Sequence, residues 1–159
     1  MFILVEGPDG AGKTTLSKNL AEAFGYEYVH FSYPKNEAEA KALFNTYLTF
    51  IQMHDNCVVD RMFPSTMIYG AVLRGEPELT DSQHDRLIME LGLKDAVILF
   101  CTNDTNVLWQ RCQERGEDYI TSYHDFEDIC IEYFQYMNVL QTILAERNTN
   151  VSIHRVELG

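Results

Sequence analysis

Apolar residues in this chain fall into short runs separated by longer amphipathic stretches. Phe2–Glu6 is a five-residue run that is apolar up to Glu6 and leads into glycines, the pattern of a buried strand. Tyr26–Phe31, Cys57–Asp60, Lys94–Cys101 and Val151–Val156 repeat that pattern and predict four more strands. The stretches between them carry helical spacing. Gly12–Phe24 predicts a helix with Leu16, Leu20, Ala23 and Phe24 on one stripe and Gly25 as its stop. Further helices are expected near 36–53, 63–73, 81–91, 104–115 and 124–146. Thr102, Asn103 and Asp104 supply N-cap types for the fifth of these six. The last is the clearest, with Phe126, Ile129, Cys130, Tyr133, Phe134, Met137, Leu140, Ile143 and Leu144 at three- and four-residue steps. Strands alternating with helices, without repeat or linker, imply one α/β domain with a five-stranded parallel sheet flanked by helices.

Composition narrows the function more than the fold. At 159 residues, 46% hydrophobic and 23% charged, the chain is long enough to bury a core without metal or disulfide staples. Its 24 acidic and 12 basic side chains leave a formal charge of −12. That argues against a protein that coats a nucleic-acid backbone, which needs a basic face. A small anionic ligand is still allowed, because a few cations and backbone N–H groups hold one locally. Cys57, Cys101, Cys112 and Cys130 form no C-x-x-C pair and have no zinc spacing, and Cys57 and Cys101 lie in apolar runs where a buried thiol is expected. The opening MFILV lacks the basic start and long apolar middle of a signal peptide, and Ala96–Cys101 is too short to cross a bilayer. A reduced, cytoplasmic protein without a membrane partner is the expectation.

The strongest chemical signal follows the first strand. Gly7-Pro8-Asp9-Gly10-Ala11-Gly12-Lys13-Thr14-Thr15 matches G-x-x-x-x-G-K-S/T, between a strand and a helix. Glycines let the backbone curl so that its N–H groups face phosphate oxygens, and the helix N-terminus adds positive potential. Lys13 is then placed to reach the β- and γ-phosphates of ATP, and the Thr14 hydroxyl to ligate Mg²⁺. A GTPase would carry N-K-x-D after a later strand, but Cys101-Thr102-Asn103-Asp104 stands there. A motor ATPase would normally need a larger domain. A small-molecule kinase fits both the motif and the length.

A second constellation closes the third strand, where Val58-Val59-Asp60-Arg61 precedes Met62-Phe63-Pro64-Ser65-Thr66-Met67-Ile68-Tyr69. Ligands of open parallel sheets collect at the carboxyl ends of strands, so Asp60 and Arg61 are expected beside the phosphate loop. Asp60 is a candidate Mg²⁺ partner with Thr14, and Arg61 a bidentate grip for an acceptor phosphate.

With these residues the chain resembles thymidylate kinase, within the wider nucleoside monophosphate kinase and deoxynucleoside kinase group. The resemblance spans most of the chain and rests on Gly7–Thr14, Tyr33-Pro34, Asp60-Arg61 with Ser65 and Tyr69 at the family offsets, and Arg111–Tyr119. It implies a single-domain P-loop NTPase fold with a short lid over about 111–122. It further implies that Asp9 faces the acceptor sugar's 3′-hydroxyl, Arg61 holds the acceptor phosphate, Tyr69 lies under the sugar and penalises a 2′-hydroxyl, and Tyr33 packs near base or sugar. Arg111 and Arg115, four apart on one helix face, correspond to lid arginines that reach the transferring phosphate, with Arg115 nearer the tip. The resemblance also suggests a homodimer through the helices near 36–53 and 63–73.

The chain departs from the family in three places. Lys35 stands near where the family often has an arginine, and Asp118 where the lid usually carries another. The 36–56 segment lacks the Phe and Arg pair that holds thymine, with Arg74 as the one nearby substitute. Deoxynucleoside kinases more often use Glu-Arg-Ser in the second motif and a Glu base after the second strand, whereas this chain has Asp60-Arg61-Met62 and no Glu at Tyr33-Pro34. The expected reaction is therefore transfer from ATP to a deoxynucleoside 5′-monophosphate, dTMP or a related, even modified, pyrimidine nucleotide. A deoxynucleoside kinase, with Glu6 or Asp60 as base, and a nucleotide-binding module without turnover stay as alternatives. His54, His84, His124 and His154 are read as surface or packing residues; His30 ends the second strand, within reach of the site, with strand-end packing the favoured reading.

Overall fold

The chain's central strands are apolar on both faces and therefore need cover on both. In the computed structural model, which describes residues 1–117 and 120–159, they have it. The elements in order are β1 (Phe2–Glu6), α1 (Lys13–Phe24), β2 (Glu27–His30), α2 (Glu37–Met53), β3 (Cys57–Asp60), α3 (Phe63–Arg74), α4 (Asp81–Gly92), β4 (Ala96–Thr102), α5 (Thr105–Glu114), α6 (Tyr123–Glu146) and β5 (Ser152–Glu157). The strands form one parallel sheet in the order β2-β3-β1-β4-β5. Every residue of β1 and β3 is buried, whereas β2 and β5 at the edges are half-exposed or exposed. Helix α1 packs on β1, β2 and β3; α3 packs on α6, α6 also meets α5 and β5, and α2 packs on α4. The expected single α/β domain with five parallel strands is what the chain forms.

Helix boundaries fall within a residue or so of the expected ones, fixed by identifiable caps. The Asn36 and Ser122 side chains accept the third N–H of α2 and α6, and Thr80 with Gln83 forms a capping box on α4. The stripe on α1 is a correction. Its buried positions are Lys13, Ser17 and Ala21; Leu16 and Leu20 are half-buried, Ala23 is exposed, and Phe24 is 54% exposed, stacked on Tyr26. Small side chains let this helix lie close on the sheet, and the larger apolar ones are displaced to its flanks. On α6 the expected stripe is the buried one: Phe126, Ile129, Cys130, Tyr133, Met137, Leu140 and Leu144.

All four cysteines are free and buried. Burial pushes their thiols up, to about 11 for Cys57, Cys101 and Cys130 and about 12 for Cys112, so none is a thiolate at neutral pH. Among the described residues no helix is long and apolar enough to cross a membrane.

Candidate active site

At the carboxyl end of the sheet lies a cavity of about 270 Å³. It is lined by Asp9, Gly10, Gly12, Lys13, Thr14 and Thr15 from the phosphate loop, by His30, Asp60 and Arg61 from the ends of β2 and β3, and by Arg115 and Glu117 beyond α5. The sheet order explains the meeting. β1 lies between β3 and β4, so the loop leaving β1 and the turn leaving β3 emerge side by side.

The loop itself is pre-shaped. Gly12 is the N-cap of α1 in the left-handed region, at φ 85°, and no side chain caps this helix. The first backbone N–H groups of α1 therefore have no side-chain oxygen in their way, as an anion site requires. Lys13 is 7% exposed and its Nζ donates to the Pro8 carbonyl at 3.1 Å, which folds the ammonium back over the loop. Ala11 is buried in the loop, its N–H bonded to the Pro8 carbonyl, and Gly7 and Ala11 do not line the cavity.

Asp60 organises the floor. Its Oδ2 accepts the Thr14 hydroxyl at 2.8 Å and the Tyr28 hydroxyl at 3.1 Å, and the His30 Nδ1 lies 3.2 Å away. Its Oδ1 is buried with no hydrogen-bond partner among the described residues. Burial and the Asp60 charge push the Tyr28 phenol up to about 12, so it remains a donor at neutral pH. Sequence reading missed Tyr28 and placed His30 in strand-end packing. Both sit on one face of β2, and the pairing of His30 with Asp60 in the sheet register brings them to the site. Period-two spacing on β2 was the available signal, but only the strand order says which strand lies next to it.

Arg61 occupies the turn between β3 and α3 with φ 71°, a left-handed conformation that costs a non-glycine residue about 1 kcal/mol or more. Its guanidinium lies 4.6 Å from the Tyr33 ring and 5.0 Å from the Tyr69 ring, and its Nε is 3.5 Å from the Ser65 Oγ. Tyr69 is fully buried; its hydroxyl donates to Asp9 Oδ2 at 2.8 Å and accepts the Asp9 N–H at 3.2 Å. Tyr33 packs edge-on against Tyr69, with Arg74 over its ring at 5.3 Å. The Tyr33 hydroxyl is buried with no partner among the described residues. Arg74 also pairs with Glu78 at 2.7 Å.

The remaining expected residues divide. Arg115 lines the cavity, 3.3 Å from Glu117 and half exposed. Arg111 does not line it; its guanidinium donates to the carbonyls of Gly10 and Leu158, each at 3.2 Å. Lys35 is exposed on the approach to α2, its N–H bonded to Glu39, and it is not among the lining residues. Ser65 is 2% exposed beneath Arg61 rather than in the cavity. Asp118 and Tyr119, in the expected lid, lie outside the described residues.

Glu6 was weighed as a base from the sequence, and its surroundings rule that out. It is fully buried and accepts bonds from Met62 N–H, Ser65 and the Tyr133 hydroxyl. Such a carboxylate has no route to a substrate hydroxyl.

No family model matches the chain, and no curated protein matches it either. Solved structures do. The YorR protein of Bacillus subtilis, in complex with phosphorylated GDP, superposes with a TM-score of 0.77 at 23% identity, over 99% of this chain and 85% of that one. Deoxyadenosine kinase from M. mycoides with bound dATP gives 0.61 at 19% identity, over 100% and 93%. Shikimate kinase from Acinetobacter baumannii in complex with shikimate gives 0.55 at 14% identity, over 99% and 84%. Sheet order, phosphate loop and these likenesses agree that the chain has the fold of the P-loop kinases.

Proposed function

We propose that this chain transfers the γ-phosphoryl group of ATP to the phosphate of a deoxynucleoside 5′-monophosphate, with dTMP or a related pyrimidine nucleotide as the first acceptor to test. One observation carries the reading: Arg61, clasped by two tyrosines, lines the same cavity as Lys13 and Arg115. A rigid guanidinium facing the phosphate loop suits an acceptor that is itself a phosphate. Such an acceptor is already a nucleophile, so no general base is needed.

The triphosphate would lie on Gly7–Thr15, its charge met by backbone N–H groups and Lys13. Thr14 and Asp60 offer hard oxygen ligands 2.8 Å apart, and Asp60 Oδ1, with no hydrogen-bond partner among the described residues, fits the demand for one more. Among the described residues no three acidic, His or Cys groups form a metal site, which suits an Mg²⁺ held largely by substrate phosphates. When bound there, Mg²⁺ would neutralise charge on the phosphates. Arg115 would swing from Glu117 onto the transferring group, supplying a cation where negative charge spreads over the equatorial oxygens. Asp9, which lines the cavity, would meet the sugar, with the buried Tyr69 phenol behind it holding its carboxylate in place.

The test is ADP release with Mg·ATP and a panel of nucleosides and monophosphates. Turnover is expected with deoxynucleoside monophosphates; turnover confined to nucleosides would sink the proposal, and tight ATP binding without any turnover would favour a binding module. Within the same assay, Arg61→Ala is expected to lower kcat/KM for the monophosphate by about 10²-fold, mostly through acceptor KM. Unchanged acceptor KM and kcat in that variant would mean the acceptor phosphate lies elsewhere.

A further inference from the structure

The turn that carries Arg61 is strained, and the residue that holds it in place is not in the cavity. Arg61 sits at φ 71°, its N–H bonded to the Val5 carbonyl at 3.0 Å. Helix α3 begins directly afterwards, and its N-cap residue, Met62, has no side-chain cap. The missing cap is supplied by the end of β1, the strand paired with β3. Glu6 Oε1 accepts the Met62 N–H at 2.8 Å and the Ser65 N–H at 3.4 Å, and the Ser65 hydroxyl lies between Glu6 Oε1, at 3.3 Å, and the Met62 carbonyl, at 3.0 Å. The Tyr133 hydroxyl on α6 donates to Glu6 Oε2 at 3.1 Å. The Ser65 Oγ then meets the Arg61 Nε.

We propose that Glu6 is a positioning residue for Arg61, fixing the left-handed turn through the α3 cap so that the guanidinium stays aimed into the cavity. This rests on Arg61 as the acceptor-phosphate residue. The contacts suit a carboxylate: the Met62 and Ser65 N–H groups can only donate, and the Tyr133 hydroxyl donates to its other oxygen. Burial raises the Glu6 pKa, an effect opposed by the Met62 N–H and by the charges of Arg61 and Lys13. Glu6 thereby gathers Met62, the residue directly after the strained turn, and Ser65, whose hydroxyl meets the Arg61 Nε. Strain at a cavity-lining residue, held from behind by a fully buried side chain, is a device for pre-organisation.

The test compares Glu6→Gln and Glu6→Leu with wild type, varying acceptor at saturating ATP and ATP at saturating acceptor. Glutamine keeps one oxygen for Met62, and the Tyr133 hydroxyl can turn to accept from its amide. The acceptor KM is expected to rise about fivefold for Gln and about 30-fold for Leu, with the ATP KM within about twofold throughout, because misaiming one group by about 1 Å costs up to about 10²-fold. Should Glu6→Leu not fold, a cycle of Glu6→Gln with Ser65→Ala decides. A shared route gives a double variant about as impaired as the worse single one, whereas multiplied effects would mean two independent roles. Unchanged acceptor KM in folded variants, or parallel rises in both KM values, would overturn the inference while leaving the kinase reading intact. A wild type that turns over no monophosphate would overturn both.

Discussion

Lys13→Ala is expected to lower kcat by about 10³-fold or more, with far-UV circular dichroism unchanged. The ammonium is the one side-chain cation inside the loop, folded over it by the Pro8 carbonyl and 7% exposed. In the proposed phosphoryl transfer it would act where charge develops, so its loss would fall on the transition state more than on ground-state binding. Removing the buried stem costs about 1 kcal/mol of stability, a shift of about 3 °C in Tm for a domain this size. Chemistry and folding are thus separable by comparing kcat with Tm. A kcat within about tenfold of wild type would show that the loop does not hold the transferring phosphate.

Gly7→Ala is expected to have the opposite profile, with most of its effect on folding. Gly7 has φ 148°, and a Cβ there would stand 2.0 Å from the carbonyl oxygen of Cys101 and 3.0 Å from its carbon. Those atoms belong to β4, the neighbour of β1 in the sheet centre, so relief means prising two buried strands apart at their carboxyl ends. An overlap against backbone cannot be absorbed by a rotamer change and costs about 3–4 kcal/mol. Total stability of such a domain is about 5–15 kcal/mol, so Tm should fall by about 10 °C. Thermal melts followed by circular dichroism check this, and a Tm within about 2 °C of wild type would show that the strands part easily. Nucleotide binding should weaken in parallel, because the same displacement tilts the loop.

What could be read from the sequence depended on how local the physics was. Strands β1 and β3 were legible to the residue because burial on both faces leaves a continuous apolar run. The turn at Gly7–Thr15 was legible because its glycine spacing is what lets the backbone curl at the start of α1. The buried face of α1 was not, because Ser17 and Ala21 are chosen for close approach, which hydrophobic periodicity does not weigh. Arg111 illustrates the larger gap. It read as a lid arginine, yet its partners Gly10 and Leu158 are 101 and 47 positions away, and only the closed sheet brings them together. Glu6 was visible as an acidic residue closing a strand. Its role needed the contacts with Met62 and Ser65, 56 and 59 positions on.

The strand order also sets a timetable for assembly. β1 pairs with residues 57–60 on one side and 96–100 on the other, so its two neighbours are separated from it by whole helices. Closing such long loops costs chain entropy before any ladder bond returns it, which makes sheets of this topology slow to form. During synthesis the apolar β1 must therefore wait, unpaired, until β3 and then β4 have left the ribosome. Over that interval Phe2–Val5 is an adhesive edge, and the acidic excess of the chain opposes association of neighbouring nascent chains through like-charge repulsion.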